Sequence, residues 1–262
     1  MSREYICRTR ESGIIVEESV YPVAKRDDSP AEKKAHQRKR DEIVKAYNHR
    51  TSVKLLALKL AANFPPGSIV GCFTYDDRHL PPTREQALRC FGRAREKVAA
   101  AWRERGADPA GLIWAYATEE KHGDGRMHHH FVCPALGDDF SMLREAWSYY
   151  GEIVDFKPLR VDAEKNYDTL AHYMAKEGRE RLDLKSWNFS HGARRPVETR
   201  DRLDLSELPD LPPGVLVVEN QTIETPFGIY VYRKYVMPFT ADGSRAVSPR
   251  VAREAAQNRA FY

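Results

Sequence analysis

Three consecutive histidines open an apolar run in Gly125-Arg126-Met127-His128-His129-His130-Phe131-Val132. The stretch Met127 to Pro134 reads as a buried β-strand, and this constrains the fold more than any other feature. Successive strand side chains alternate faces, so His128 and His130 share one face while His129 and Phe131 take the other. Two imidazoles on one strand face are a ready pair of metal ligands. Such a strand belongs at the centre of a sheet, with one face packed and the other carrying the histidines.

The preceding strand, Leu112 to Thr118, is joined to it through the turn signal Gly123-Asp124-Gly125, so the two are expected to form a hairpin. A hairpin returns residues before the turn to the side of those after it, which brings a carboxylate beside the imidazoles. Only one of Glu119 and Glu120 can face them. Glu120, eight residues before His128, is the expected ligand, with Glu119 as the alternative. Further on, Asp162 to Lys176 reads as a helix in which Tyr173 and Lys176, three apart, share a face. A phenol ionises near pH ~10 and is a poor nucleophile unless assisted. A nearby ammonium and a metal would favour tyrosinate and stabilise charge developing on a phosphate. The combination points to metal-assisted attack of a tyrosine on a phosphodiester.

The rest of the chain supplies a scaffold. Residues 1–30 read as a flexible arm with a short strand at Gly13 to Val16. Residues 31–66 form a basic helical segment, expected to break near Asn48-His49-Arg50 and stopped by Phe64-Pro65-Pro66-Gly67. Ser68 to Tyr75 reads as a buried strand, and Thr83 with Gln86 caps a helix carrying Phe91, Ala94, Val98 and Trp102 at helical spacing. A short helix from Ser141 to Tyr150 and a strand from Glu152 to Leu159 follow. Residues 67–203 thus make the main domain, and 204–262 an accessory hairpin and tail. The expected class is α+β: a central antiparallel sheet of about five strands with helices packed on one face, plus accessory N-terminal helices and a C-terminal hairpin.

Composition narrows the partners. The net charge of +4 is mild, but Lys39 and Arg40 belong to a strongly basic stretch that could follow a phosphate backbone. Trp187, Arg194 and Arg195 lie in a segment interleaving aromatic and basic residues, suited to stacking on bases and gripping phosphates. Arg126, beside the histidines, joins them as a DNA-binding candidate. No apolar run is long enough for a membrane span and the N-terminus lacks a signal-peptide core, so a cytoplasmic protein with no membrane partner is expected. The four cysteines form no C-x-x-C pair, which argues for reduced thiols. A zinc hydrolase would need three strong nitrogen or sulfur ligands, and Cys133 falls on the wrong strand face by parity. A non-catalytic nucleic-acid binder would leave the histidine–tyrosine set unexplained.

Glu120, Gly125-Arg126-Met127-His128-His129-His130 and Tyr173-Met174-Ala175-Lys176 together resemble the HUH endonucleases that initiate rolling-circle replication. The wider layout, over roughly residues 30–237, is similar to replication-associated proteins of phages and mobile elements. In that superfamily two histidines flank one residue, usually hydrophobic, and His129 departs from this. Tyr167 is six residues before Tyr173, not the four that place two tyrosines on one helix face, so a single-tyrosine enzyme is implied. The resemblance implies sequence-specific nicking and joining of single-stranded DNA at a replication origin. Tyr173 would form a 5′-phosphotyrosine link, and His128, His130 and Glu120 would hold Mg²⁺ or Mn²⁺. It also implies a bacterial host. No Gly-x-x-x-x-Gly-Lys-[Ser/Thr] loop is present, so strand separation would fall to a host helicase, with a host polymerase extending the free end. A transposase of the same superfamily is the alternative.

Overall fold

The computed structural model describes residues 4–23, 41–120, 126–135, 137, 139–161, 166–176, 187–205, 208, 210–240 and 245–247. Contacts divide the chain into two units. One comprises Met1–Thr51, Asp162–Glu164 and Arg195–Tyr262, and the other Ser52–Val161 and Lys165–Arg194. Each holds a five-stranded sheet in which every strand pair is antiparallel. The class is therefore α+β, with two such sheets where the sequence led to one.

The first unit is built from strands β1 (Tyr5–Ser12) and β2 (Ile15–Pro22) with three late strands. Residues 1–30, expected as an arm, thus contain a hairpin over their described part. Gly13, at φ 57°, makes its tight turn. The strands escape a hydrophobic reading because β2 buries Glu17 and Glu18. Their carboxylates accept hydrogen bonds from Tyr232 (3.0 Å) and Tyr235 (2.9 Å), more than 200 residues away. A buried carboxylate is tolerable only with such partners.

The second unit carries the histidines. Its sheet runs β6-β3-β5-β4-β7, with β3 Ile69–Tyr75, β4 Ala115–Glu119, β5 His128–Cys133, β6 Gly151–Pro158 and β7 Asn188–Phe189. The histidine strand β5 is central, as expected. The turn at Gly123-Asp124-Gly125 lies outside the described residues, but β4 and β5 pair antiparallel on either side of it. Helix α1 (Asp41–Asn63) runs unbroken through Asn48-His49-Arg50, where a break was expected. Helices α2 (Arg84–Glu104) and α3 (Asp139–Trp147) cover one sheet face with Phe91, Ala94, Val98, Leu143 and Trp147. Thr83 caps α2 by accepting the Gln86 N–H at 3.3 Å. Phe73 anchors this core, stacked on Trp147 at 4.4 Å and 6° and against Phe131 at 4.4 Å.

On β3, a Cβ at Gly71 would meet the Phe131 ring at 2.7 Å, so a side chain there would displace a core aromatic. Helix α4 (Tyr167–Met174), capped by the Asn166 side chain, carries the tyrosine.

The remaining three strands complete the first sheet, in the order β8-β1-β2-β10-β9: β8 Val197–Leu203, β9 Leu216–Thr225 and β10 Gly228–Val236. The expected boundary at residue 203 therefore shifts to 194, because β8 pairs with β1 along seven residues. Its sequence, Val-Glu-Thr-Arg-Asp-Arg-Leu, is exposed except at Leu203, which explains why it lacks an apolar signature. No helix among the described residues is long and apolar enough to cross a membrane.

Candidate functional site

Register decides which carboxylate meets the histidines. In the β4–β5 hairpin Glu119 is paired with His128 and Ala117 with His130. Paired residues share a face, so Glu119 joins both imidazoles and Glu120 does not. Glu119 Oε2 lies 3.3 Å from His128 Nε2, and Glu119 Oε1 lies 3.4 Å from His130 Nε2. The expected ligand, Glu120, instead faces Arg84 at 3.5 Å. The sequence placed the carboxylate in the right dipeptide and on the wrong side, because a one-residue change of register exchanges the faces.

Backbone geometry sets the tautomer of His128. Its Nδ1 is 3.1 Å from the Arg126 carbonyl oxygen, so Nδ1–H donates, which turns Nε2 toward Glu119. The two rings sit edge to face at 4.9 Å, their side chains almost wholly buried. The buried group His128, His130 and Cys72 has ligand atoms all within 4.8 Å of one another and could hold a metal ion.

The tyrosine helix crosses this face. Tyr173 packs on His130 with ring centroids 4.6 Å apart and remains 40 % exposed. Lys176, just past the end of α4, places Nζ 3.1 Å from Glu119 Oε2 and 4.7 Å from the Tyr173 ring centroid. Tyr173 thus lies against His130, and Lys176 against Glu119 and the Tyr173 ring. Tyr167, by contrast, is buried and donates its hydroxyl to the Phe64 carbonyl at 2.6 Å, which leaves Tyr173 alone at the site.

The electrostatics follow from burial and neighbours. Burial pushes the Glu119 carboxyl up, but the adjacent imidazoles and Lys176 more than reverse this and hold it far below the usual carboxylate range. Burial lowers His130, against the opposing pull of Glu119. Burial, Asp155, Cys72 and Glu119 raise the Tyr173 phenol to about 12. Burial, Asp155 and Glu119 likewise push the Cys72 thiol up to about 12.

His129, the departure from the motif, points into the core. Its Nδ1 is 2.8 Å from Thr118 Oγ1 and its Nε2 is 2.8 Å from the Tyr75 hydroxyl, which donates onward to the Ala87 carbonyl at 3.2 Å. One proton arrangement satisfies the whole chain: Thr118 donates to Nδ1, and Nε2–H donates to Tyr75. A neutral imidazole there fills an apolar position, and burial lowers its pKa to about 3.

The remaining candidates are dispersed. Arg126 binds Asp77 at 2.5 Å and the Tyr75 carbonyl at 2.9 Å. Trp187 is held by Ser52 through its indole N–H at 3.0 Å and is overlaid by Lys59. Asn63 brackets the Arg194 backbone, accepting its N–H at 2.8 Å and donating to its carbonyl at 3.1 Å, while Arg194 and Arg195 are exposed. Lys39 and Arg40 lie outside the described residues.

Two features escaped the sequence reading. Cys72 on β3 pairs with His130 on β5 and shares its face, which strand parity reveals only once the register of the two strands is known. A groove of about 610 Å³ opens beside His130 and Tyr173, lined among others by Asp155, Lys157, Arg160 and Asn166. Asp155 holds φ 54° within an irregularity of the β3–β6 register, and no motif signals that bend. No family model, curated protein or solved structure matches the chain.

Proposed function

We propose that this protein nicks and joins single-stranded DNA through a tyrosine, as its resemblance to the HUH endonucleases implies. The observation that carries the reading is the convergence of Tyr173, Lys176, Glu119, His128 and His130 on one sheet face. Tyr173 is accessible there, beside a groove bearing Lys157 and Arg160.

The donor set fits a divalent cation. Two buried imidazoles, one oriented by a backbone carbonyl so that its Nε2 turns inward, face a carboxylate held ionised. His128, His130 and Glu119 would hold Mg²⁺ or Mn²⁺, which supplies positive charge to polarise the scissile phosphate and favour tyrosinate. Tyr173 Oη attacks phosphorus and loses its proton. The new Oη–P bond replaces the P–O3′ bond, and the leaving oxygen takes up a proton to become a free 3′-OH. Lys176 stabilises negative charge on the phenolate and on the pentacoordinate phosphorus. Return attack by a 3′-OH restores the phosphodiester and frees Tyr173, with no outside energy because the bond is conserved in the link. The partner would be single-stranded DNA at an origin, with a host helicase and polymerase acting on the product.

The test is a denaturing gel of protein incubated with random-sequence single-stranded DNA and Mn²⁺. A slower, nuclease-sensitive band is expected for wild type and absent in Tyr173→Phe. An adduct that survives in Tyr173→Phe would place the nucleophile elsewhere. Tight DNA binding without any adduct would leave a non-catalytic nucleic-acid binder.

A further inference from the structure

Cys72 is a group that the proposed reaction does not use. It stands on β3 opposite His130, on the imidazole face and 3 % exposed. Its Sγ and the ligand nitrogens of His128 and His130 all lie within 4.8 Å of one another. His130 Nε2 is buried and makes no hydrogen bond among the described residues, lying 3.4 Å from Glu119 Oε1. The imidazole pair therefore stands among donors of unlike softness: a carboxylate partly engaged by Lys176 at 3.1 Å, and a sulfur.

Resting on the metal reading of this site, we infer that Cys72 is a third protein ligand in a His₂Cys mode that selects a thiophilic divalent cation such as Zn²⁺ over Mg²⁺. Zn²⁺ accepts nitrogen and sulfur donors in a tetrahedron and tolerates one open position. Mg²⁺ demands octahedral geometry, prefers hard donors and keeps several waters, so it gains little from the sulfur. As the metal–sulfur bond forms, the thiol proton leaves to solvent. The two modes share His128 and His130, so Zn²⁺ and Mn²⁺ compete for one site. Cys133, which sequence parity set aside, lies in the core cluster on the other face and takes no part.

Cobalt reports sulfur ligation directly, independent of any DNA reaction. The full-length protein is titrated with Co²⁺ beside Cys72→Ser, Cys72→Ala and the double variant His128→Ala/His130→Ala, with circular dichroism to verify folding. Wild type is expected to show a near-ultraviolet sulfur-to-cobalt charge-transfer band with intense visible absorption. Both Cys72 variants should lose that band and bind Zn²⁺ at least about tenfold more weakly, while Mn²⁺ affinity changes little. The double histidine variant should bind neither ion. Cobalt binding with no charge-transfer band in wild type, or unchanged Zn²⁺ affinity in both Cys72 variants, overturns the Cys72 assignment and leaves the tyrosine reaction standing. Failure of wild type to bind Co²⁺, Zn²⁺ or Mn²⁺ overturns both.

Discussion

At the scale of single residues, the site turns on which of two adjacent glutamates faces the histidines. Glu119 lies within 3.4 Å of both imidazoles and is 1 % exposed, whereas Glu120 faces Arg84. Glu119→Gln removes the negative charge between His128, His130 and Lys176. It is expected to cut Mn²⁺ affinity and adduct formation by about 10- to 100-fold or more. Glu120→Gln disturbs a 3.5 Å contact at the rim and is expected to change either by less than about threefold. Metal titration and single-turnover adduct assays on the two variants check this, and equal losses would return Glu120 to the site. The faces of the histidines and of Tyr173 were legible because strand parity and helical spacing fix them locally, whereas Lys176 lies past the end of α4, where helical spacing does not set its direction. The choice of glutamate was not, because it depends on hairpin register. Cys72 was legible in principle, on a strand already expected beside the histidines, but its face has meaning only once that strand is paired.

At the scale of elements, β5 is a strand with two chemistries. Its outer face carries His128 and His130, and its inner face seats His129 and Phe131 against α2 and α3. His129 can occupy an apolar position because both ring nitrogens are satisfied, by Thr118 on β4 and Tyr75 on β3. This has a pH consequence. His129 remains neutral down to about pH 3 in the folded protein, while the unfolded chain protonates it near its ordinary 6.5. Below pH ~6.5 the unfolded state therefore binds the extra proton, and stability falls as pH falls, by up to about 1.4 kcal/mol per unit until the folded pKa is reached. Between pH 7 and pH 5 His129 is expected to withdraw about 2 kcal/mol. Urea unfolding at the two pH values should show that loss in wild type and a smaller one in His129→Gln, whatever the variant's stability at pH 7. An identical loss in both would mean that His129 is not the buried neutral group. Element types were readable where apolar spacing is regular, as in α2 and β3. They were not readable in β1, β8 and most of β2, where polar residues such as Arg10, Glu17 and Glu18 are satisfied by partners far away in sequence.

At the scale of the whole molecule, two sheets are interleaved along one chain. The sheet of β1, β2, β8, β9 and β10 draws strands from both sides of the segment that builds the histidine sheet. Sequence order cannot reveal this, because its pairings span separations such as Arg10 to Glu198, joined at 2.8 Å. Charge is also distributed at this scale. A net charge of +4 is too small to hold a polyanion by itself, so the proposed DNA affinity would have to come from local groups placed along the strand's path. Arg194 meets that need: Asn63 fixes its backbone on both sides, and its side chain, like that of Arg195, is exposed. Each phosphate neutralised on single-stranded DNA contributes about −0.7 to the slope of log K against log salt. Replacing both arginines with alanine should therefore flatten the slope by about 1.4 and weaken binding most at low salt. Fluorescence anisotropy with a labelled single strand at several salt concentrations measures it. A slope equal to wild type would remove this segment from the interface, leaving Lys157 and Arg160 in the groove beside Tyr173 as the cations to substitute next.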